Sequence, residues 1–175
     1  MLIGDKVSLR APTEGDLDAL YEIAAELATW EERDSTPARA LPRLEFAEQF
    51  KKGLSTPDGD VRFVIVSGGG AVVGRCGVFD IDPLARGGEV GIALHTSARA
   101  RGHGTDALRV LVRFAFERRN LHRLHLRTLA SNAPALACYG KVGFVEEGRR
   151  RESAWVRGEY QDEIMMSLLH SQWCR

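Results

Sequence analysis

Cysteine is scarce and unpatterned in this chain: there are three, Cys76, Cys138 and Cys174, odd in number and far apart. That excludes a disulfide framework and offers no zinc-type ligand pairing, so a reducing interior and no metal are expected. Long apolar runs are also missing. Nothing approaches the ~18 residues of a membrane helix, and the start, MLIGDKVSLR, lacks the apolar core of a secretion signal. Charge of one sign is absent as well: Lys plus Arg and Asp plus Glu each number 24. A general nucleic-acid binder would need a basic surplus or face, so none is expected. The basic runs Arg118-Arg119 and Arg149-Arg150-Arg151 read as solvated surface. With no internal repeat, low-complexity tract or linker, residues 1–175 read as one cytoplasmic domain with no membrane contact.

What is present alternates in type. Val7 to Arg10 reads as a short strand closed by Pro12, and Thr13 with Asp16 resembles a capping box. Leu17, Leu20, Tyr21, Ala24 and Leu27 recur at helical spacing, predicting a helix to about Thr29. A charged, proline-broken loop follows, then a short helix from about Arg43 to Gly53. Val61–Val66, Ala71–Phe79 and Glu89–Leu94 read as strands with short turns between them, hence an antiparallel meander. Alternation in the third puts Val90, Ile92 and Leu94 on one face. Glu89, Gly91 and Ala93 lie on the other, where small residues leave room for something against the backbone.

A glycine-and-arginine turn comes next, Arg99-Ala100-Arg101-Gly102-His103-Gly104-Thr105, feeding a long apolar-striped helix. Free N–H groups and the helix dipole at such an N-terminus suit phosphate. Asp106 would repel that anion, so it is expected to point away. Leu121 to Leu129 reads as a half-buried strand in which Leu129 falls out of register with Leu124 and Leu126. Asn132-Ala133-Pro134 starts a helix that Gly143 ends, and a strand pair closes the chain around Arg157-Gly158. A mixed α/β (α+β) fold is expected. No P-loop string occurs, and the glycines come too late for a dinucleotide-binding first turn.

Two motifs together carry a resemblance. Arg99 to Gly104 resembles the Q/R-x-x-G-x-G/A pyrophosphate loop of the GNAT-superfamily N-acetyltransferases, and Asn132 to Phe144, NAPALACYGKVGF, resembles that superfamily's N-x-x-A-x-x-x-Y-x-K/R-x-G-F segment. Leu9-Arg10-Ala11-Pro12 and Gly158 to Asp162 are similar to a subgroup holding ribosomal-protein N-terminal acetyltransferases and spermidine N-acetyltransferases. The resemblance implies a central, mostly antiparallel sheet of about seven strands with about four helices. It also implies acetyl-CoA as cosubstrate and direct transfer to a primary amine.

By that resemblance the amides around Arg101, Gly102, His103, Gly104 and Thr105 hold the pyrophosphate, with Arg99 or Arg101 adding charge. Ile92, Ala93 and Leu94 pair with the pantetheine arm, which Asn132 also binds. Tyr139 protonates the departing thiolate and Glu89 serves as base, directly or through water. Tyr139 as a core tyrosine, Glu89 as a solvated strand residue and Asn132 as an N-cap stand as plain alternatives. Trp30, Glu31, Glu32 and Asp34 form an acidic, aromatic cluster suited to a cationic amine, and Trp155 and Tyr160 flank the last turn. The preferred acceptor is a protein or peptide N-terminal α-amine. A polyamine or an amine-bearing antibiotic is the alternative, and a non-catalytic CoA-binding module is the alternative of another class. A homodimer stays open.

Overall fold

The computed structural model describes residues 1–27, 39–54 and 59–173. Eight strands form one sheet: β1 (Leu2–Ile3), β2 (Val7–Arg10), β3 (Val61–Ser67), β4 (Val72–Asp82), β5 (Gly87–Leu94), β6 (Arg123–Leu129), β7 (Val145–Val156) and β8 (Glu159–Leu169). Their order is β1-β2-β3-β4-β5-β6-β8-β7. Every neighbouring pair is antiparallel except β5 with β6, which run parallel. The helices among the described residues are α1 (Leu17–Ala25), α2 (Arg43–Leu54), α3 (His103–Glu117), α4 (Ala133–Val142) and a terminal turn, α5 (His170–Trp173). The meander β3–β4–β5 and the closing hairpin follow the expected alternation; β1 and α5 are too short to leave a periodic signal. None of these helices is long and apolar enough to cross a membrane.

Pleating sorts the side chains onto two faces. On one, Val90, Leu124, Leu126, Ile164 and Leu168 pack against the buried stripe of α3, Ala107, Leu108, Leu111, Val112 and Ala115. Each buried leucine there contributes about 2 kcal/mol through burial. On the other, α1 and α2 close over Val64 and Ala93 with Leu20, Ile23, Ala24 and Phe46. Leu129 belongs to neither cluster and packs with Ala154 and Val156. Its slot out of register in the sequence is a change of face.

Two local expectations are corrected. The first helix stops at Ala25, and Glu26 is extended with φ −64° and ψ 112°. The Glu26 carboxylate there accepts from the Thr96 hydroxyl at 2.8 Å and lies 3.3 Å from His95 Nε2, tertiary bonds that further winding would sacrifice. Arg113 and Glu117, four apart in the sequence, are spaced for a weak pairing on α3, but Arg113 donates to the Ile3 carbonyl at 3.1 Å. Thr13 and Asp16 do form a start signal: the carboxylate accepts the Thr13 N–H at 2.7 Å and opens a 3-10 turn into α1.

Candidate active site

The parallel pair β5–β6 sets the site. Only Gly87, Gly88 and Glu89 pair with Arg123, Leu124 and His125. Beyond that rung β5 stays with β4 through Leu94, and β6 stays with β8 through Leu129. The strands part into a notch whose edges, Val90–Leu94 and Leu126–Leu129, face each other unpaired. Backbone donors and acceptors on such edges need a peptide-like partner.

Past the notch, β5 leads through a 3-10 turn, Thr96–Ala98, into the glycine loop. Ala100 and Gly102 both adopt left-handed backbone, φ 58° and 83°, which turns the chain sharply into α3. The first intrahelical bond runs from Asp106 N to Gly102 O at 3.1 Å. Among the described residues, the amides of Gly102, His103, Gly104 and Thr105 have no protein acceptor. His103 Nδ1 is the single buried side-chain nitrogen or oxygen there without a hydrogen-bond partner. Gly104 sits where a Cβ would come 3.3 Å from Leu94 Cδ1 and 3.6 Å from Cys138 Sγ, so no side chain obstructs the turn. Four unsatisfied amides beside an orphaned imidazole nitrogen fit an anion such as a coenzyme A pyrophosphate.

Asp106 points away, as expected. Its carboxylate accepts from the amides of Asp5, Lys6 and Val7 at 3.1, 2.7 and 2.9 Å. Burial pushes this carboxyl up, but the three amides together bring it below its ordinary value. Arg99 turns its Nε to the Leu94 carbonyl at 3.3 Å, bracing the end of β5. Arg101 is exposed.

Asn132 caps α4, accepting the Ala135 amide at 3.2 Å. Tyr139, two turns on, is buried and packs edge-on against Phe144 with centroids 6.0 Å apart. Burial, with Cys138 adding to it, raises the phenol well above its usual value, so it stays protonated. The Thr105 hydroxyl and the Cys138 sulfur lie 3.2 Å apart, joining the first turn of α3 to α4.

Glu89 stands at the last rung before the strands part, on the face opposite α3. Arg127, two residues beyond His125 on β6, brings Nε to 3.4 Å from its Oε1. Across the other rung Glu89 is opposite Phe79. The room expected over Gly91 is taken by that ring: a Cβ at Gly91 would lie 2.9 Å from Phe79 Cε2 and one at Gly77 2.8 Å from Cζ. Phe79 therefore walls a cleft of about 370 Å³ under α1 and α2, with Leu20, Phe50, Arg62, Arg75 and Ala93 among its lining.

Trp155 and Tyr160 stack edge-on at 4.8 Å at the tip of the closing hairpin, both exposed. The pleat gives Tyr160 the parity of Ile164, which faces α3, so this pair is not on Glu89's face. Trp30, Glu31, Glu32 and Asp34 lie outside the described residues. Phe79, Arg127 and Lys6 escaped the sequence: cross-strand register brings the first two beside Glu89, and turn packing brings Lys6 beside Gly102. Among the described residues no group of three or more His, Cys, Asp or Glu is placed to hold a metal ion.

A parted parallel pair ending in a turn of free amides offers partners to a peptide-like arm that ends in an anion, the shape of an acyl-CoA, and the sequence comparisons identify the class as an acetyltransferase. A family model described as an acetyltransferase (GNAT) domain matches residues 6–145, so the chain belongs to the GNAT acetyltransferases and is an N-acetyltransferase using acetyl-CoA. The chain is 25% identical to the spermidine N(1)-acetyltransferase of Vibrio cholerae, over 98% of this chain and 97% of that one. Identity to the Escherichia coli enzyme of that name is 25%, over 95% of this chain and 88% of that one. A putative ribosomal N-acetyltransferase of Bacillus subtilis is 30% identical over 59% and 57%. Among solved structures, the Vibrio cholerae spermidine N-acetyltransferase in complex with CoA and spermine superposes with a TM-score of 0.88, at 24% identity over 97% and 98%.

Proposed function

We propose that residues 1–175 form a single acetyltransferase domain that moves acetyl directly from acetyl-CoA to a small primary amine, a polyamine in the first instance. The observation that carries the reading is the notch between β5 and β6, with unpartnered amides at one end and Glu89 at its floor. The sequence preference for a protein N-terminus gives way to the polyamine because the spermidine-acetylating relatives match nearly the whole chain. The putative ribosomal relative matches little more than half.

The chemistry suits that order. An alkylamine has a pKa near 10.4, whereas an α-amine lies at about 7.7–8.0, so a polyamine needs a base far more. Glu89 takes the amine proton, directly or through water. Backbone of Ile92, Ala93 and Leu94, together with Asn132, orients the pantetheine arm. The amides of Gly102 to Thr105 hold the pyrophosphate, with the Arg101 charge beside them. Tyr139, kept neutral by burial, donates to the thiolate as the thioester breaks. The acetyl thioester itself is supplied by acetyl-CoA.

One observation favours a second acceptor. Arg62, ion-paired with Asp60 at 2.9 Å, lies over the Phe79 ring at 5.5 Å, and with Arg75 it gives the cleft a guanidinium and aromatic wall. Such a wall suits the apolar or carboxylate-bearing part of a peptide better than a polycation. A thiol-release assay with acetyl-CoA against spermidine, spermine, N-terminal peptides and aminoglycosides decides between them. Polyamine turnover is expected. Turnover of peptides alone would overturn that preference, and CoA binding without transfer to any amine would make the chain a regulatory CoA-binding module.

A further inference from the structure

We propose that Lys6 is a cofactor-binding residue whose ammonium is held at the N-terminus of α3 to meet a phosphate of coenzyme A. The inference rests on the acetyl-CoA reading of the glycine loop.

The placement is built from both sides. Asp106, in the first turn of α3, takes three consecutive amides of the β1–β2 turn, those of Asp5, Lys6 and Val7. A Cβ on Gly4 would fall 2.5 Å from the Asp106 Oδ2, so glycine is what lets the turn close on the carboxylate. With its backbone pinned there, Lys6 lays its side chain along Gly102. A Cβ at Gly102 would meet Lys6 Nζ at 2.9 Å and its Cδ and Cε at 3.4 Å. The Nζ donates to the Arg101 carbonyl at 3.0 Å.

That position opposes the local electrostatics. The N-terminus of a helix carries about half a positive charge, and a cation beside it is destabilising. Arg101 adds a like charge from the same loop. Among the described residues no carboxylate pairs with Lys6, and the Arg101 carbonyl occupies one of the ammonium's three donors. Two N–H donors of Lys6 and the amides of Gly102 to Thr105 are thus left together around one turn without an acceptor among the described residues, the nearby Asp106 carboxylate being taken up by the amides of Asp5, Lys6 and Val7. Lys6 is exposed, so water meets these donors in the free chain, and a bound phosphate would take them up and answer the positive charge gathered at the turn. A lysine serving only to brace the left-handed loop would need no such concentration of positive charge.

The test is calorimetric binding of CoA and of dephospho-CoA to the wild-type chain, Lys6→Met and Lys6→Arg across a KCl series, with melting of each unliganded chain. Lys6→Met should bind CoA roughly five- to tenfold more weakly at low salt, with a flatter salt dependence. Lys6→Arg should recover most of the loss. The unliganded Lys6→Met chain should melt no lower than wild type, since a repelled cation is gone. Loss on CoA alone assigns the 3′-phosphate, and equal loss on both ligands assigns the diphosphate; either supports the proposal. Unchanged affinity and salt dependence overturn it, as does a fall in melting temperature with the salt dependence intact. A wild-type chain that binds no CoA overturns the acetyl-CoA reading along with it.

Discussion

Arg127 reaches from β6 to Glu89 on β5, its Nε 3.4 Å from Oε1, two residues beyond the last rung that joins the two strands. The pair spans the floor of the notch on the face that α1 and α2 cover, so under the proposed function the acceptor amine shares the carboxylate with a guanidinium. Both side chains are partly exposed, Arg127 at 44% and Glu89 at 28%, so the pair is a weak latch. Glu89→Gln should lower kcat about 100-fold with CoA affinity unchanged. Arg127→Met should lower KM for spermidine a few-fold and move kcat less, because a like charge leaves the acceptor's path. Steady-state kinetics check both, and wild-type kcat in Glu89→Gln would remove Glu89 as base.

Tyr139→Phe keeps the buried ring and its edge contact with Phe144 while deleting the hydroxyl proposed as proton donor. Since burial holds the phenol above its ordinary value, it is protonated across any working pH and contributes no basic limb of its own below that value. The expected outcome is a loss of kcat of about 100-fold with retained CoA affinity and an unshifted pH profile. A better thiol leaving group in the donor should narrow the gap. Full activity in Tyr139→Phe would leave the residue a core tyrosine.

Much of this was legible in the chain because local signals carry it. Helical spacing in Leu108, Leu111 and Ala115, strict alternation through Val90, Ile92 and Leu94, and the Asn132 and Gly143 caps each fix an element within a few residues. The two motifs located the anion turn and the tyrosine. What stayed hidden depends on register between distant segments. Nothing near Lys6 says that Asp106, a hundred residues on, will gather its turn. Nothing near Phe79 says its ring will fill the space above Gly91. Glu26 breaks a helix that its own neighbours favour, because its partners are at Thr96 and His95.

Asp106 is the fastener between the β1–β2 turn and α3, and its removal should show in stability as well as binding. Asp106→Ala strands three amides and should cost about 2–4 kcal/mol. Gly4→Ala should be destabilising too, since its methyl would fall 2.5 Å from the carboxylate. Denaturant melts of both variants read this. A Gly4→Ala chain as stable as wild type would mean the turn relaxes without loss.

Asp16 supplies a pH dependence whose sign is fixed. Its carboxyl is held down to about 2, chiefly by the Arg10 guanidinium at 2.7 Å, against burial and with help from the Thr13 amide and hydroxyl. A depressed folded value means that this stabilisation is present above the unfolded carboxylate range and is lost as pH falls from about 4 towards 2. Asp16→Asn should therefore lower stability at pH 7 by about 1–2 kcal/mol and converge with wild type near pH 2. Equal destabilisation at both pH values would assign the loss to shape and not to charge.

Gly91→Ala separates the cleft walled by Phe79, if it takes the acceptor, from the turn of free amides at α3. The new methyl would sit 2.9 Å from the Phe79 ring, and the ring is the side of the cleft that faces Glu89 across the β4–β5 rung. Phe79 must swing away, and the space it can swing into is the cleft itself, bounded by Arg62, Phe50 and Leu20. The amides of Gly102 to Thr105 are untouched by that movement. The expected signature is a KM for the acceptor raised about tenfold with CoA affinity unchanged, partly relieved in Gly91→Ala with Phe79→Leu, where the smaller side chain restores room. Should CoA binding fall and acceptor KM hold, the cleft would belong to the cofactor, and the acceptor would enter by another route past Arg127.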